Sequence, residues 1–159
     1  MENVTLKING QDITVPANYT VLQAARKAGI SIPTLCYLKD VSQTGSCRMC
    51  VVEVKGARNL QAACVYPVAE GLEVFTNTPK VRRSRKVTLE LLLSNHDRKC
   101  LTCARNQNCE LQTLSEELGI DQISYEGERN QYEIDDLSPS IVRDNNKCVL
   151  CRRCVSACK

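Results

Sequence analysis

The sequence has very few aromatic side chains for its length. It contains no Trp, one Phe and five Tyr among 159 residues. Aromatic side chains usually supply much of the apolar area in a protein core, and domains with a thin core rely on disulfides or metals for stability. The sequence has 11 cysteines, which are the obvious candidates for holding the fold together.

The sequence also lacks a secretory signal and any long apolar run. Its first residues, MENV, provide neither the basic region nor the apolar stretch of a signal peptide. No run approaches the roughly 18 apolar residues that a membrane helix needs. An odd number of cysteines cannot pair completely within one chain, and cysteine-rich chains of reducing compartments usually carry metal or redox chemistry. These features predict a cytoplasmic metalloprotein without direct membrane insertion.

The charge balance lacks the strong positive excess of a nucleic-acid-binding protein. Lys and Arg number 21 and Asp and Glu 18, which gives a net charge of +3. This value predicts no nucleic-acid partner. One basic run, KVRRSRK at residues 80–86, has two interpretations. It forms a solvated helix face, or it docks a partner or compensates the negative charge of a neighbouring metal cluster.

Local patterns predict an α+β fold for the first 78 residues. Apolar residues alternate with polar ones on both sides of Asn9-Gly10, a pair typical of type I′ turns, which predicts an N-terminal hairpin. Thr20 and Gln23 have the spacing of a capping box, and Gly29 can end the helix that follows. We expect two hairpins around one helix, with further strands at 51–54, 60–64 and 72–75.

The pattern becomes helical after residue 78. Thr78-Pro79 predicts an N-cap and first turn of a helix that runs to about Asn95. A second helix is predicted at 109–118, with Gly119 as its stop. Residues 121–138 are acidic and polar, as expected of a connecting arm. The segment from Ser140 onward contains four cysteines and little apolar sequence of its own.

The first cysteine group is spaced C-x10-C-x2-C-x13-C. This order suits a [2Fe–2S] cluster, although its first gap is longer than in the plant-type spacing. Gly45 allows the main chain of the enclosing loop to approach closely, where a side chain would collide. Four thiolates also suit structural zinc, but zinc ribbons commonly use two close cysteine pairs and only one is present. The group consists of Cys36, Cys47, Cys50 and Cys64.

The second group is spaced H-x3-C-x2-C-x5-C and contains the only histidine of the sequence. His96 lies at the end of a predicted helix, four residues before a cysteine. Its imidazole can therefore reach the same metal as the thiolates. Zinc and a [4Fe–4S] cluster both accept such ligands, and the neighbouring groups favour iron–sulfur. The group consists of His96, Cys100, Cys103 and Cys109.

The third group is spaced C-x2-C-x2-C-x3-C, as in two-cluster ferredoxins. In that pattern the fourth cysteine ligates the other cluster, so a second run is needed that the sequence does not contain. Either the natural chain continues beyond these residues, or this site is incomplete or ligated differently. The group consists of Cys148, Cys151, Cys154 and Cys158.

In this order, the three groups resemble the N-terminal iron–sulfur segment of multi-cluster [FeFe]-hydrogenase catalytic subunits. Similar segments occur in NAD-dependent formate dehydrogenases and in the large iron–sulfur subunit of complex I. The resemblance covers essentially the whole sequence. It implies an N-terminal β-grasp plant-type ferredoxin domain (1–78), then a small helical domain with its connecting arm (79–137), then the start of a ferredoxin-like two-cluster domain (138–159).

The resemblance also implies the ligands of each cluster. The first group would hold a [2Fe–2S] cluster, and the second a [4Fe–4S] cluster with one histidine and three cysteine ligands. Cys148, Cys151 and Cys154 would begin a further [4Fe–4S] site, and Cys158 would ligate a second one. Complex I subunits lack this fourth close cysteine, so Cys158 favours hydrogenase or formate dehydrogenase.

The resemblance implies an electron relay between an NAD(P)H/flavin partner and a catalytic centre, in the first place that of an [FeFe]-hydrogenase. The implied partners are a flavin-containing NAD(P)H-oxidising subunit and a small thioredoxin-like [2Fe–2S] subunit, with ferredoxin as a further candidate. The alternatives are the same segment of a formate dehydrogenase, a stand-alone electron-carrier subunit and, more remotely, a zinc-stabilised interaction module. These residues contain no motif of a catalytic centre.

Overall fold

The computed structural model describes residues 2–125 and 127–158 and contains a five-stranded mixed sheet. The predicted domain ends at residues 1 and 159 therefore lie outside the described residues. The sheet has the order β2-β1-β5-β3-β4, and β1 pairs antiparallel with β2 and parallel with β5. The strands are β1 (Asn3–Ile8), β2 (Gln11–Pro16), β3 (Val51–Val54), β4 (Gln61–Ala62) and β5 (Glu73–Phe75).

The predicted N-terminal hairpin is confirmed. Asn9 and Gly10 have φ values of 51° and 86°, the left-handed conformations that a type I′ turn requires. Asn9 also joins this turn to the residue that follows β5, the parallel neighbour of β1. Its side-chain Nδ2 donates to the Thr76 hydroxyl at 2.8 Å, and the Thr76 backbone N–H donates to the Asn9 side-chain Oδ1 at 2.9 Å.

The sheet differs from the expected pair of hairpins in two respects. The parallel pairing of β1 with β5 joins residues more than 60 positions apart, a contact for which no local pattern exists. The last strand of the second hairpin, predicted at 60–64, is limited to Gln61–Ala62. The chain turns there, since the N–H groups of Val65 and Tyr66 both bond to the Ala62 carbonyl. This turn carries Cys64 out of the sheet.

One helix covers the sheet, as predicted. Helix α1 (Val21–Lys27) begins with the complete Thr20–Gln23 capping box, and Gly29 follows it with a φ of 73°. Its buried face packs against the sheet to form the first apolar core. The fully buried members of that core include Leu6, Ile8, Val15, Val21, Leu22, Val52 and Val74.

The second half of the chain is helical and then irregular. Helix α2 (Pro79–Ser94) begins at the Thr78 N-cap and ends before Asn95, and α3 (Glu110–Glu117) ends before Gly119, close to the predicted bounds. A short helix, α4 (Arg153–Ala157), follows the connecting arm. None of the helices in the described residues is both long and apolar enough to cross a membrane.

A second apolar core lies between the sheet and the helices. Helix α2 contributes Leu89 and Leu93, and α3 contributes Leu111 and Leu114. The remaining buried members, Leu35 and Met49, come from the loop that carries the first three cysteines, and Cys47 and Cys109 pack at the margin. One cysteine of the first group and one of the second therefore pack against the same core, whereas Cys50 and Cys64 belong to the first core.

Candidate metal centres

The structure brings the four cysteines of the first group together. Cys36 and Cys47 lie in the loop after α1, Cys50 directly precedes β3, and Cys64 follows β4. The Cys36 backbone N–H donates to the Cys47 sulfur at 3.4 Å. The thiol of Cys64 hydrogen-bonds to Cys50, and it experiences the charges of the other three cysteines. Three of the four are at most 1% exposed.

The surroundings of this group favour negative charge on sulfur. Backbone N–H groups from both sides of the loop, those of Leu35, Cys36 and Met49, point at the Cys47 sulfur. Burial nevertheless raises the pKa of the Cys47 thiol. Burial also opposes ionisation of Cys36, but hydrogen bonds from Cys47 and from two nearby hydroxyl groups outweigh it and lower the pKa of this thiol. Such N–H dipoles are what a buried thiolate needs in place of water.

Cys50 and Cys64 form a hydrogen-bonded pair of thiols. A hydrogen bond from the Cys64 thiol lowers the pKa of Cys50 to about 6, against the opposing effect of burial. Donation of that bond, together with burial, raises the pKa of Cys64. The two pKa shifts have opposite directions, so within this pair Cys50 ionises before Cys64. Metal binding must displace the remaining proton.

Arg85 is the nearest buried counter-charge to this group. It belongs to α2 but is only 6% exposed, and its Nη2 donates to the Val51 carbonyl at 2.7 Å. Its positive charge acts on Cys50 and contributes to the low pKa of that thiol. Burial lowers the pKa of Arg85 to about 10, so it stays charged at neutral pH. One member of the basic run thus faces inward, as the charge-compensation interpretation predicts.

Arg85 could have been found from the sequence. It occupies the same helix face as Val81 and Leu89, four residues to either side, and both are buried. An arginine within an apolar stripe indicates a partner in the interior.

The expected close approach of the main chain at Gly45 is confirmed, since its φ is 62° and an added Cβ would lie 3.2 Å from the Val65 side chain.

The residues of the second group line one cavity. Its volume is about 210 Å³, more than ten times what a single water molecule requires. No three His, Cys, Asp or Glu in the described part of the chain converge closely enough to hold one metal ion. The rest of the wall combines apolar side chains, such as Leu93 and Ile123, with charged ones, such as Asp97 and Arg105, and the volume exceeds what a single ion needs. The four ligand candidates on its wall are His96, Cys100, Cys103 and Cys109.

His96 supplies the clearest indication of a ligand in this cavity. Its Nδ1 atom is buried and has no hydrogen-bond partner among the described residues. Burial lowers the pKa of His96, which leaves a neutral imidazole with a free lone pair at neutral pH. His96, which follows the end of α2, is anchored by the connecting arm, because Arg129 donates a hydrogen bond to the His96 carbonyl. A neutral imidazole and three thiols fit an iron–sulfur cluster as well as zinc.

The third group is more exposed than the other two. Cys148, Cys154 and Cys158 are exposed, and only Cys151 is partly buried. The Leu150 backbone N–H donates to the Cys148 sulfur at 3.4 Å, and the Arg105 N–H donates to Cys103 at the same distance. All three groups thus contain a backbone N–H directed at a cysteine sulfur.

Two protein families match this chain in adjacent regions. Residues 1–79 match the model of a 2Fe-2S iron-sulfur cluster binding domain. Residues 85–124 match the NADH-ubiquinone oxidoreductase-G iron-sulfur binding region, a 4Fe-4S model. Each match covers less than half of the chain, and together they indicate a 2Fe-2S domain followed by a 4Fe-4S binding region. The two matches decide between iron–sulfur and zinc in favour of the [2Fe–2S] and [4Fe–4S] cofactors.

Curated proteins that are similar to this chain are subunits of several oxidoreductases. The NADP-reducing hydrogenase subunit HndD of Solidesulfovibrio fructosivorans is 45% identical over 99% of this chain and 28% of its own length. NADPH-Fe(3+) oxidoreductase subunit alpha of Geobacter sulfurreducens is 42% identical over 96% of this chain and 18% of its own length. The NADH-ubiquinone oxidoreductase 75 kDa subunit of Reclinomonas americana is 36% identical over 96% of this chain and 22% of its own length.

A solved structure that is similar to this chain has the same fold. The crystal structure of an NAD+-reducing [NiFe]-hydrogenase in the H2-reduced state superimposes with a TM-score of 0.91 and 34% identity. The match covers 97% of this chain and 65% of that one, and this chain spans less than a third of each of the three curated relatives. The chain is therefore similar to the iron–sulfur segments of NAD(P)H-linked hydrogenase and complex I-like subunits.

Proposed function

We propose that the chain relays electrons between an NAD(P)H/flavin partner and a catalytic centre outside these residues, that of an [FeFe]-hydrogenase. The main support is the second apolar core, against which Cys47 of the first group and Cys109 of the second group both pack. The hydrogenase relative, which aligns over 99% of this chain, also supports this choice. The same segment in an NAD-dependent formate dehydrogenase and a stand-alone carrier subunit are the alternatives.

The ligand sets follow the three groups. Cys36, Cys47, Cys50 and Cys64 hold the [2Fe–2S] cluster, and His96, Cys100, Cys103 and Cys109 hold the [4Fe–4S] cluster. The converging buried thiols support the first set, and the unpartnered His96 Nδ1 on a common cavity supports the second. Cys148, Cys151 and Cys154 contribute to a further [4Fe–4S] site, and Cys158 to another.

When bound, the clusters supply one-electron transfer at low potential. The chain's own residues set the conditions for it. Backbone N–H groups stabilise negative charge on Cys36 and Cys47, and Arg85 places a positive charge beside Cys50. Burial keeps water away from Cys36, Cys50 and Cys64, whereas the second group lines a cavity with both apolar and polar walls. Neutral His96 contributes no charge, so the two sites differ electrostatically.

We further propose the domain layout 1–78, 79–137 and 138–159. In this layout the five-stranded sheet with α1 is a β-grasp domain, and the C-terminal segment begins a ferredoxin-like domain. The partners are a flavin-containing NAD(P)H-oxidising subunit, a small thioredoxin-like [2Fe–2S] subunit and ferredoxin, and the location is the cytoplasm. The NADP-reducing hydrogenase and NADPH-Fe(3+) oxidoreductase relatives support a nicotinamide-linked partner.

The cluster assignment is tested by anaerobic reconstitution of the chain with iron and sulfide. We expect two distinct reduced-state EPR signals, one from each of the first two groups. Cys64→Ser should remove the [2Fe–2S] signal alone, and Cys109→Ser the [4Fe–4S] signal alone, whereas Cys158→Ser should leave both signals unchanged. Loss of both signals in either single variant, or a colourless wild-type protein, would contradict the proposal.

The relay itself is tested in the complex purified from its native source. The intact mass of the polypeptide distinguishes a catalytic subunit from a stand-alone carrier, since the 159 residues account for 17.7 kDa. Addition of NADPH or NADH to that complex should reduce both clusters in the presence of its flavoprotein subunit. Clusters that stay oxidised although the flavin is reduced would overturn the relay.

A further inference from the structure

The guanidinium group of Arg153, a residue within the third cysteine group, contacts residues next to cysteines of the first and second groups. Arg153 opens α4 and lies between Cys151 and Cys154. Its Nη1 donates to Glu110 Oε2 at 2.8 Å, and its Nη2 donates to the Tyr37 carbonyl at 3.1 Å. Neither partner is itself a ligand candidate.

Both partners directly follow cysteines of the other groups. Tyr37 follows Cys36 of the first group, and Glu110 follows Cys109 of the second. Tyr37 is 5% exposed, and its ring lies under the Arg26 guanidinium at 4.7 Å, so its carbonyl is held in place. Glu110 occupies the first turn of α3, where the helix dipole favours a carboxylate. One contact therefore joins Arg153 to a buried residue beside Cys36, and the other joins it to a more exposed carboxylate beside Cys109.

The geometry of arginine makes this link stiff. The donors of a guanidinium lie in one plane at fixed angles, so two acceptors bound to its two ends are held at a set separation. The Arg153 side chain is partly buried, and its Nε is buried without a hydrogen-bond partner among the described residues. Surface ion pairs contribute little, but this one shares its cation with a buried backbone carbonyl. A lysine has no second donor end with which to span both acceptors.

Two more contacts hold the same segment. The Asp97 backbone N–H, next to His96, donates to the Asn146 carbonyl at 2.8 Å. Val149 packs against the second apolar core. The segment that carries the third group is therefore tied to the second group at its start, and to the first and second groups at Arg153.

We propose that Arg153 is a positioning residue that fixes the separation and orientation of the first two cluster sites, and with them the coupling between the clusters. This inference rests on the proposed function, since it requires that both sites hold clusters. Both ligand sets lie within this chain, so the inference needs no third cluster for its test.

The test uses the full chain, reconstituted anaerobically, with four variants. Arg153→Met keeps length and removes both contacts, Arg153→Lys keeps the charge without the fork, and Glu110→Gln removes one ionic partner. Arg152→Gln is the matched control, because Arg152 is exposed and makes no side-chain hydrogen bond to any described residue. The measurements are iron and sulfide content, magnetic coupling between the two reduced clusters by pulsed EPR, and amide hydrogen exchange of residues 145–158.

For Arg153→Met we expect full cluster content, weaker coupling and exchange about tenfold faster in that segment, because a hydrogen bond to a charged group is lost. Arg153→Lys should resemble Arg153→Met, and Arg152→Gln should resemble the wild type. Unchanged coupling in fully loaded Arg153→Met, or complete recovery in Arg153→Lys, would overturn the inference. If Arg153→Met loses its clusters, Glu110→Gln decides: weakened coupling supports the inference and unchanged coupling overturns it.

Failure of the proposed function gives a different result. A wild-type chain that binds no iron and sulfide would overturn the proposed function, and this inference with it. A wild-type chain with two coupled clusters whose coupling is insensitive to Arg153 would overturn the inference alone.

Discussion

Replacement of Arg85 by methionine should lower the reduction potential of the [2Fe–2S] centre. Arg85 is 6% exposed and acts electrostatically on Cys50, whose thiolate we assign to that centre. Reduction adds one negative charge, which a buried cation stabilises. Methionine has a similar length and fills the same apolar stripe, so the substitution removes the charge with little loss of packing.

The size of the effect follows from Coulomb's law. For two unit charges at a representative separation of ~6 Å and an effective dielectric constant of about 20, the interaction is worth about 3 kcal/mol. For a one-electron step this corresponds to roughly 130 mV. Relaxation of the surroundings reduces the value, and we therefore expect a decrease of roughly 50–100 mV.

The assay is an EPR-monitored redox titration of the reconstituted chain. Arg83→Met is the matched control, because Arg83 belongs to the same basic run but is exposed. The control should shift the potential by far less, since solvent and salt screen an exposed charge. Equal shifts in the two variants, or a rise in Arg85→Met, would refute the assignment of Arg85 as the counter-charge of this centre.

Three further predictions concern the helices and the histidine. Leu89→Ala should lower the free energy of unfolding by about 2–5 kcal/mol in urea titrations, because Leu89 is fully buried in the second core; a loss below that of exposed Leu91→Ala would contradict this. His96→Cys should retain a [4Fe–4S] EPR signal but at lower potential, because a thiolate replaces a neutral imidazole; an unchanged potential would count against His96 as a ligand. The pKa of His96 is lowered on folding, so the unfolded chain binds more protons and the metal-free protein should lose stability as the pH falls from 6.5 through the folded pKa. Urea titrations at several pH values check this, and an equally steep loss in His96→Asn would assign the effect to other groups.

Much of the fold could be predicted because its signals are local. The type I′ turn at Asn9-Gly10, the capping box at Thr20 and the Thr78 N-cap each depend on residues within a few positions of one another. The parallel pairing of β1 with β5 has no such signal, because its partners meet only after the intervening chain has folded. The short β4 likewise reflects a turn that places Cys64.

The candidate metal centres also combine features with local sequence signals and features that depend on distant contacts. Cysteine spacing indicated which residues group together, and the single histidine was informative because it preceded a cysteine run. The spacing does not show the charge that faces each group. Arg85 was visible as an interruption of an apolar stripe, whereas the contact from Arg153 to Tyr37 spans 116 positions and only the folded chain reveals it.

The second apolar core has a consequence for how this segment can be moved between proteins. The match to a 2Fe-2S domain ends at residue 79, which suggests a convenient place to cut. A cut there would expose Leu35 and Met49, which the partners Leu89 and Leu111 now cover. A protein engineer who transplants the first domain would therefore have to replace these two residues with polar ones, directly beside Cys36 and Cys50. Modularity in the sequence thus does not guarantee modularity in solution, and the two cluster regions are best transferred as one unit.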